Sequence, residues 1–172
     1  MTDPSSKYNC HTCGDNPHYC ICDENHKASL ERAIELAVKH HKGQKDKAAQ
    51  PYILHPLRLM LSMTTEVERI VAVLHDIVED TTITLDNLRK EGFGEKIVSA
   101  IECVTKKDGE NYDSFIERIS YNPLATDVKL ADLEDNMDLS RLPEVTEKDL
   151  LRVAKYQRAV KRLSNISKEE ES

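Results

Sequence analysis

The residues best equipped for chemistry lie in the least polar part of the chain. His75 and Asp76 interrupt a run of Ile70, Val71, Ala72, Val73 and Leu74, and Ile77 and Val78 lead on to Glu79 and Asp80. On a helix, positions i and i+4 share a face, so His75/Glu79 and Asp76/Asp80 are expected to form two rungs along one side. Burying ionisable groups among Leu, Val and Ile is unfavourable unless something compensates their charge, and a divalent cation does so. The pattern recurs at two other places. Asp132 ends the stretch Val128-Lys129-Leu130-Ala131-Asp132, with Lys129 one turn back and Asn136 one turn on, and His55 lies between Tyr52-Ile53-Leu54 and Pro56-Leu57. Two imidazoles and two carboxylates make a mixed nitrogen–oxygen donor set, which suits Mn2+, Zn2+, Fe2+ or Co2+ better than Ca2+.

A second cluster is made of thiols. Cys10, Cys13, Cys20 and Cys22 read C-x2-C-x6-C-x-C, interleaved with His11 and His18. Gly14-Asp15-Asn16-Pro17 is turn-forming and can fold the second pair back on the first. Four thiolates satisfy the tetrahedral preference of Zn2+ and leave no open position, which makes the expected zinc structural rather than catalytic. The competing reading is a flexible, reduced cysteine-rich tail. Cys103 stands alone in an apolar stretch and reads as a small core residue.

Helices must position these groups. Leu30, Ala33, Ile34, Ala37, Val38 and His41 recur at helical spacing and predict an amphipathic helix over 28–42, ended by Gly43. Pro56 falls in the first turn of a second helix, where proline is tolerated. The run 66–79 is apolar nearly all round; it is too long for a typical strand and predicts one continuous buried helix. Thr84 caps a short helix through Leu88, Ile97 to Val104 marks another, and Phe115 to Ile119 one more, stopped by Asn122-Pro123. A helix is expected over 128–139, and Thr146 with Asp149 resembles a capping box before the last one. No period-2 run suggests a sheet. The expected class is all-α, with a cysteine-rich knuckle at 1–26, a helical domain at 27–167 and a disordered acidic tail at 168–172.

Composition narrows the function. Twenty-four basic against 31 acidic residues give a net charge of −7, which argues against a nucleic-acid or anionic-membrane binder. No apolar run approaches the roughly 20 residues of a membrane helix, and the first residues lack a secretory pattern. A cytoplasmic protein acting on a small molecule is expected; oligomeric state is not legible.

The chain from about Ala28 to Leu142 resembles the HD-domain metal-dependent phosphohydrolases, and most closely the (p)ppGpp 3′-pyrophosphohydrolases of the Rel/SpoT and small alarmone hydrolase type. The resemblance rests on His41-Lys42-Gly43-Gln44, Pro51-Tyr52-Ile53-Leu54-His55-Pro56, Leu74-His75-Asp76-Ile77-Val78-Glu79-Asp80-Thr81, Phe93-Gly94, Val104-Thr105-Lys106 and Val128-Lys129-Leu130-Ala131-Asp132, in that order. It implies a helical HD bundle and Mn2+, or another divalent ion, held by His55, His75, Asp76 and Asp132. It further implies that Glu79 and Asp80 are the catalytic acidic pair, that Lys47 and Tyr52 flank the nucleotide base, and that Asn136 lies near the ribose. Lys129 reads either as a substrate contact or as a structural ion pair.

Two features depart from that family. Asp46-Lys47 stands where those hydrolases usually carry Arg-Lys, and Asp138 where a basic residue follows the Asn-Met pair. The loss of two positive charges implies a weaker hold on a highly charged nucleotide. Alternative substrates are NADPH losing its 2′-phosphate or a simple nucleoside phosphate. A different class is a non-catalytic nucleotide-sensing regulator, against which the intact acidic pair argues.

Overall fold

The structure, a computed structural model, describes residues 28–169. Cys10, Cys13, Cys20 and Cys22 lie outside the described residues, so the knuckle has no structural account. Nine α-helices and one 3-10 turn make up the described chain, and no strand occurs among the described residues. The all-α expectation holds. One isolated antiparallel bridge, Lys45 to Pro51, pinches the loop after the first helix.

The helices begin where side chains satisfy free backbone amides. Ser29 Oγ accepts from the Arg32 amide at 3.3 Å and opens α1 (Leu30–His40). Its end comes two residues before the expected one, with His41 as cap and Gly43 at φ +87° turning the chain away. In α2 (Leu54–Ser62), Pro56 sits in the first turn as expected. Thr65 and Glu68 form a reciprocal capping box for α3 (Glu66–Leu74), in which every residue from Ile70 to Leu74 is buried.

The predicted continuous helix over 66–79 is broken. His75 Nδ1–H donates to the Ala72 carbonyl at 2.8 Å, the acceptor that the Asp76 amide uses in a continued helix. The Asp76 backbone turns to φ −100°, ψ 0°, and the chain resumes as α4 (Ile77–Asp80). The break therefore falls on the two residues with the strongest chemical interest.

Three short helices follow: α5 (Leu85–Lys90), boxed by Thr84 and Asn87, α6 (Glu95–Val104) and α7 (Tyr112–Ser120). Asn122-Pro123 ends α7 as expected and also starts α8 (Pro123–Met137): Asn122 Oδ1 accepts from the Ala125 amide at 3.0 Å, with Pro123 in the first turn. The helix expected over 128–139 is thus longer at its start and stops at Met137. A 3-10 turn, Leu139–Arg141, leads to α9 (Glu147–Glu169), opened by the predicted reciprocal bonds of Thr146 and Asp149. Backbone helicity reaches Glu169, and the rest of the acidic tail lies outside the described residues.

Packing explains the all-round apolar character of α3, which meets α1, α2, α6 and α8. A helix surrounded on all sides has no face left for polar residues. α9 lies across α7 and α8, burying Ala159 and Leu163. Cys103 is half-buried against the core, in keeping with its reading as a core residue.

Leu74 is fully buried, whereas Leu61 on α2 is 75% exposed. Urea denaturation should show Leu74→Ala losing about 2–5 kcal/mol and Leu61→Ala staying within about 0.5 kcal/mol of the parent.

Candidate metal centre

Four side chains from three places in the chain converge where α3 breaks. His55 comes from α2, His75 and Asp76 from the α3–α4 junction, and Asp132 from α8. His55, His75 and Asp76 each offer a ligand atom within 4.8 Å of the others. Asp132 Oδ1 lies 3.2 Å from His55 Nε2 and 3.8 Å from His75 Nε2. Asp76 Oδ2 lies 2.8 Å from His75 Nε2 and 3.9 Å from His55 Nε2. Metal bonds of about 2.0–2.2 Å place neighbouring donors roughly 3–4 Å apart, so these separations fit a shared cation.

The imidazole tautomers carry the argument further. His75 Nδ1 must be a donor, because its partner is the Ala72 carbonyl. His55 Nδ1 is likewise a donor, to Asp135 Oδ2 at 2.7 Å. With Nδ1 protonated, each neutral ring presents a lone pair at Nε2. Both lone pairs face carboxylate oxygens, and buried His75 Nε2 has no hydrogen-bond partner. Lone pairs aimed at one another in an apolar setting call for positive charge between them, and the donor set fits a divalent ion. Burial alone lowers the His55 imidazole, but Asp132 and Asp135 outweigh it and push it up to about 9. Burial opposes ionisation of Asp76 and Asp132, yet His75 beside the first and Lys129 beside the second hold both carboxyls below their ordinary range.

Supporting groups surround the set. Lys129 Nζ donates to Asp132 Oδ2 at 2.7 Å and lies 5.2 Å from the Phe115 ring centroid. It is largely buried and absent from the cavity lining, and the ion pair with Asp132 is the contact it makes. Asn136 Nδ2 donates to Asp132 Oδ1 at 2.6 Å and does face the cavity. The Tyr52 hydroxyl donates to Asp76 Oδ2, and burial together with that carboxylate pushes the phenol far up. Gln44 accepts from His41 Nδ1 at 2.7 Å and donates to the Asp80 carbonyl at 2.9 Å, tying the α1–α2 loop to α4.

A cavity of about 390 Å3 opens over the cluster, within the range of small-molecule pockets. Lys47, Tyr52, His55, Asp76, Asp132 and Asn136 line it, with Glu79 and Asp80 exposed beside them. His75 is too deep to reach its wall. The helix break dissolves the expected His75/Glu79 rung: Glu79 Oε2 instead accepts from the Lys106 amide at 3.0 Å. Asp76 and Asp80 stay joined through the Asp80 amide, which donates to the Asp76 carbonyl at 2.8 Å. Burial and the neighbouring Asp76 push the Asp80 carboxyl up.

Asp46 and Asp138, the two acidic departures, both line the cavity and also serve local structure. Asp46 Oδ1 accepts from the amides of Ala48 and Gln50, at 2.9 and 2.8 Å, and so shapes the loop that carries Lys47. Asp138 accepts from the Ser140 amide and pairs with Arg141 at 3.1 Å. Both carboxylates are occupied with local structure. Positive charge reaches the cavity through Lys45 and Lys47 on either side of Asp46, and through Arg58, Arg141 and Arg152. The sequence reading named none of these arginines, nor Asp135, whose i, i+3 relation to Asp132 was the available signal.

Comparison with known proteins agrees with the geometry. No family model matches the chain. It is 36% identical over 124 residues, 65% of its length, to a guanosine-3′,5′-bis(diphosphate) 3′-pyrophosphohydrolase of Aquifex aeolicus, and covers 18% of that protein. A protein of the same name from Borreliella burgdorferi is 31% identical over 138 residues, 71% of this chain and 20% of the relative. A GTP pyrophosphokinase of Streptomyces coelicolor is 33% identical over 125 residues, 65% of this chain and 15% of the relative. The chain thus spans about a fifth or less of these curated relatives. A solved structure described as a metazoan ortholog of SpoT that hydrolyses ppGpp shares the fold, with a TM-score of 0.61 at 22% identity over 83% of this chain and 96% of that one.

A ligand that binds only the folded state raises stability, by about 2.7 kcal/mol at a hundredfold excess over Kd. Adding Mn2+ to chelator-treated protein should therefore raise Tm by several degrees, and Asp76→Ala should abolish the rise in the same thermal melt.

Proposed function

We propose that this relative of the guanosine-3′,5′-bis(diphosphate) 3′-pyrophosphohydrolases is itself a metal-dependent hydrolase, releasing pyrophosphate from the ribose 3′ position of guanosine tetra- or pentaphosphate in the cytoplasm. The observation that carries the reading is the convergence of His55, His75, Asp76 and Asp132 beneath a cavity edged by Glu79 and Asp80. Mn2+ matches the mixed donor set, and a divalent ion there supplies Lewis acidity at the phosphoryl oxygens and makes a nearby water more acidic.

The chain's own residues do the rest. In the overall reaction a water oxygen bonds to the phosphorus on the 3′ oxygen, the phosphorus–O3′ bond breaks, and O3′ leaves as a hydroxyl. Glu79 and Asp80 orient that water, accept its proton and return it to the departing O3′. Glu79 is steadied by the Lys106 amide, and Asp80, raised in pKa, holds a proton more readily than an ordinary aspartate. Tyr52 and Lys47 flank the base and Asn136 meets the ribose. Lys47 and Arg152 offset the charge of the phosphates. No helix among the described residues is long and apolar enough to cross a membrane.

Pyrophosphate release from ppGpp in Mn2+ is the direct test. Asp76→Ala should fall to background, while Glu79→Gln should lose about 10²–10⁴-fold in kcat and still bind Mn2+. Release of phosphate from another nucleotide, with none of pyrophosphate from ppGpp, would replace the proposed substrate.

The cysteines belong to the same proposal as a separate structural site. Cys10, Cys13, Cys20 and Cys22 hold Zn2+, the ion an all-thiolate shell favours. Substituting Cys13 and Cys20 by Ser should remove zinc, measured by elemental analysis, and expose the first ~25 residues to protease while hydrolysis persists. Full zinc retention in that variant would exclude these thiols as ligands.

A further inference from the structure

We infer that Asp135 is the positioning residue for His55, a carboxylate clamped by two arginines that fixes how the imidazole faces the cation. The inference rests on the metal reading of the site. Asp135 and Asp132 lie at i and i+3 on α8 and address the same ring from opposite edges: Asp132 Oδ1 is 3.2 Å from Nε2, and Asp135 Oδ2 is 2.7 Å from Nδ1. Arg58, from α2, forks onto Asp135 with Nε to Oδ1 at 2.7 Å and Nη2 to Oδ2 at 2.9 Å. Arg141, from the 3-10 turn, forks from the other side at 3.1 Å to each oxygen and also donates to the Asp135 carbonyl. Both carboxylate oxygens are thereby engaged by guanidinium and imidazole donors, so Asp135 holds a ligand and is not one.

The two histidines need different devices. His75 is fixed by its own backbone, since its Nδ1–H partner is a carbonyl three residues back on the same chain turn. His55 sits on a separate helix, where the nearest acceptor for Nδ1–H is a side chain from α8. A side-chain carboxylate must itself be held still to fix a ring, and two bidentate guanidinium contacts from different elements do that. A carboxylate hydrogen-bonded to a ligating imidazole sets its tautomer and raises its basicity, and its loss typically weakens metal affinity 10–100-fold.

The test measures Mn2+ affinity of the full-length, chelator-treated chain from the paramagnetic signal of the free ion, for the parent, Asp76→Ala, Asp135→Asn and Asp135→Ala. Asp135→Asn should bind about 10-fold more weakly and Asp135→Ala up to about 100-fold more weakly. Hydrolysis of ppGpp by both should fall at limiting Mn2+ and recover at saturating Mn2+, with KM for the nucleotide unchanged. If Asp135 merely pins α2 to α8, its variants will melt earlier without metal yet keep Mn2+ affinity within twofold of the parent, which overturns the inference alone. Should Asp135→Ala fail to fold, the isosteric Asp135→Asn decides by the same criterion. A parent that binds no Mn2+, or an Asp76→Ala variant that binds it as tightly as the parent, overturns the metal reading and this inference with it.

Discussion

The hydrogen bond from His75 Nδ1 to the Ala72 carbonyl governs the centre of the molecule. It protonates one face of the ring, leaves the other as a lone pair, and takes the acceptor that would continue the helix. Without the break, Asp76 would follow a regular helical turn along the flank of α3. With it, Asp76 Oδ2 comes within 2.8 Å of His75 Nε2, and the next residues open toward solvent as α4. One bond thus sets a tautomer, ends a helix and moves the chain from the interior to the rim of a cavity. The apolar residues on either side, Ile70 to Leu74 and Ile77, are all fully or nearly fully buried, so the junction cannot relax by shifting along its axis.

The rim is held by loops that are themselves braced from behind. Arg118 on α7 donates to the carbonyls of Glu102, Cys103 and Thr105 and pairs with Glu110 at 2.7 Å. That guanidinium pulls the Glu110 carboxyl down to about 2. The clamp shapes the segment after α6, whose Lys106 amide holds Glu79. On the opposite side, Gln44 links the α1–α2 loop to the Asp80 carbonyl. The two acidic residues therefore hang between supports that lie far from the metal set in sequence. The short segments that resemble the hydrolases, His41-Gln44 and Val104-Lys106, acquire a physical meaning here as the two braces of the acidic pair.

Much of this was legible in the sequence because it follows from one-dimensional rules. Caps at Thr84 and Thr146 announce helix starts, and the uniformly apolar run before His75 announces a helix enclosed on all sides. Ionisable residues inside apolar stretches singled out His55, His75, Asp76 and Asp132, which the fold does bring together. The helix break was not legible, because periodicity records which residues are buried and says nothing of a side chain competing for a backbone carbonyl. Lys129 was ambiguous for a related reason. An i, i+3 partner on the same helix and an outward-facing contact have identical spacing, and only the third dimension separates them.

Charge was the least legible property, since it is pooled from elements distant in sequence. Counting basic residues near the recognisable motifs finds Asp46 and Asp138 where cations are expected, and suggests a pocket poorly matched to polyphosphate. In the fold those two carboxylates do line the cavity, where Asp46 accepts from the amides of Ala48 and Gln50, and Asp138 accepts from the Ser140 amide and pairs with Arg141. Lys45 and Lys47 bring positive charge to the cavity from the α1–α2 loop, and three arginines, Arg58, Arg141 and Arg152, bring it from α2, the 3-10 turn and α9. Two of these three are committed to Asp135, and the third pairs with Asp149 at 2.8 Å while its Nε, buried, has no partner. Arg58 and Arg141 thus stabilise an anion of the protein itself, the Asp135 carboxylate beside His55.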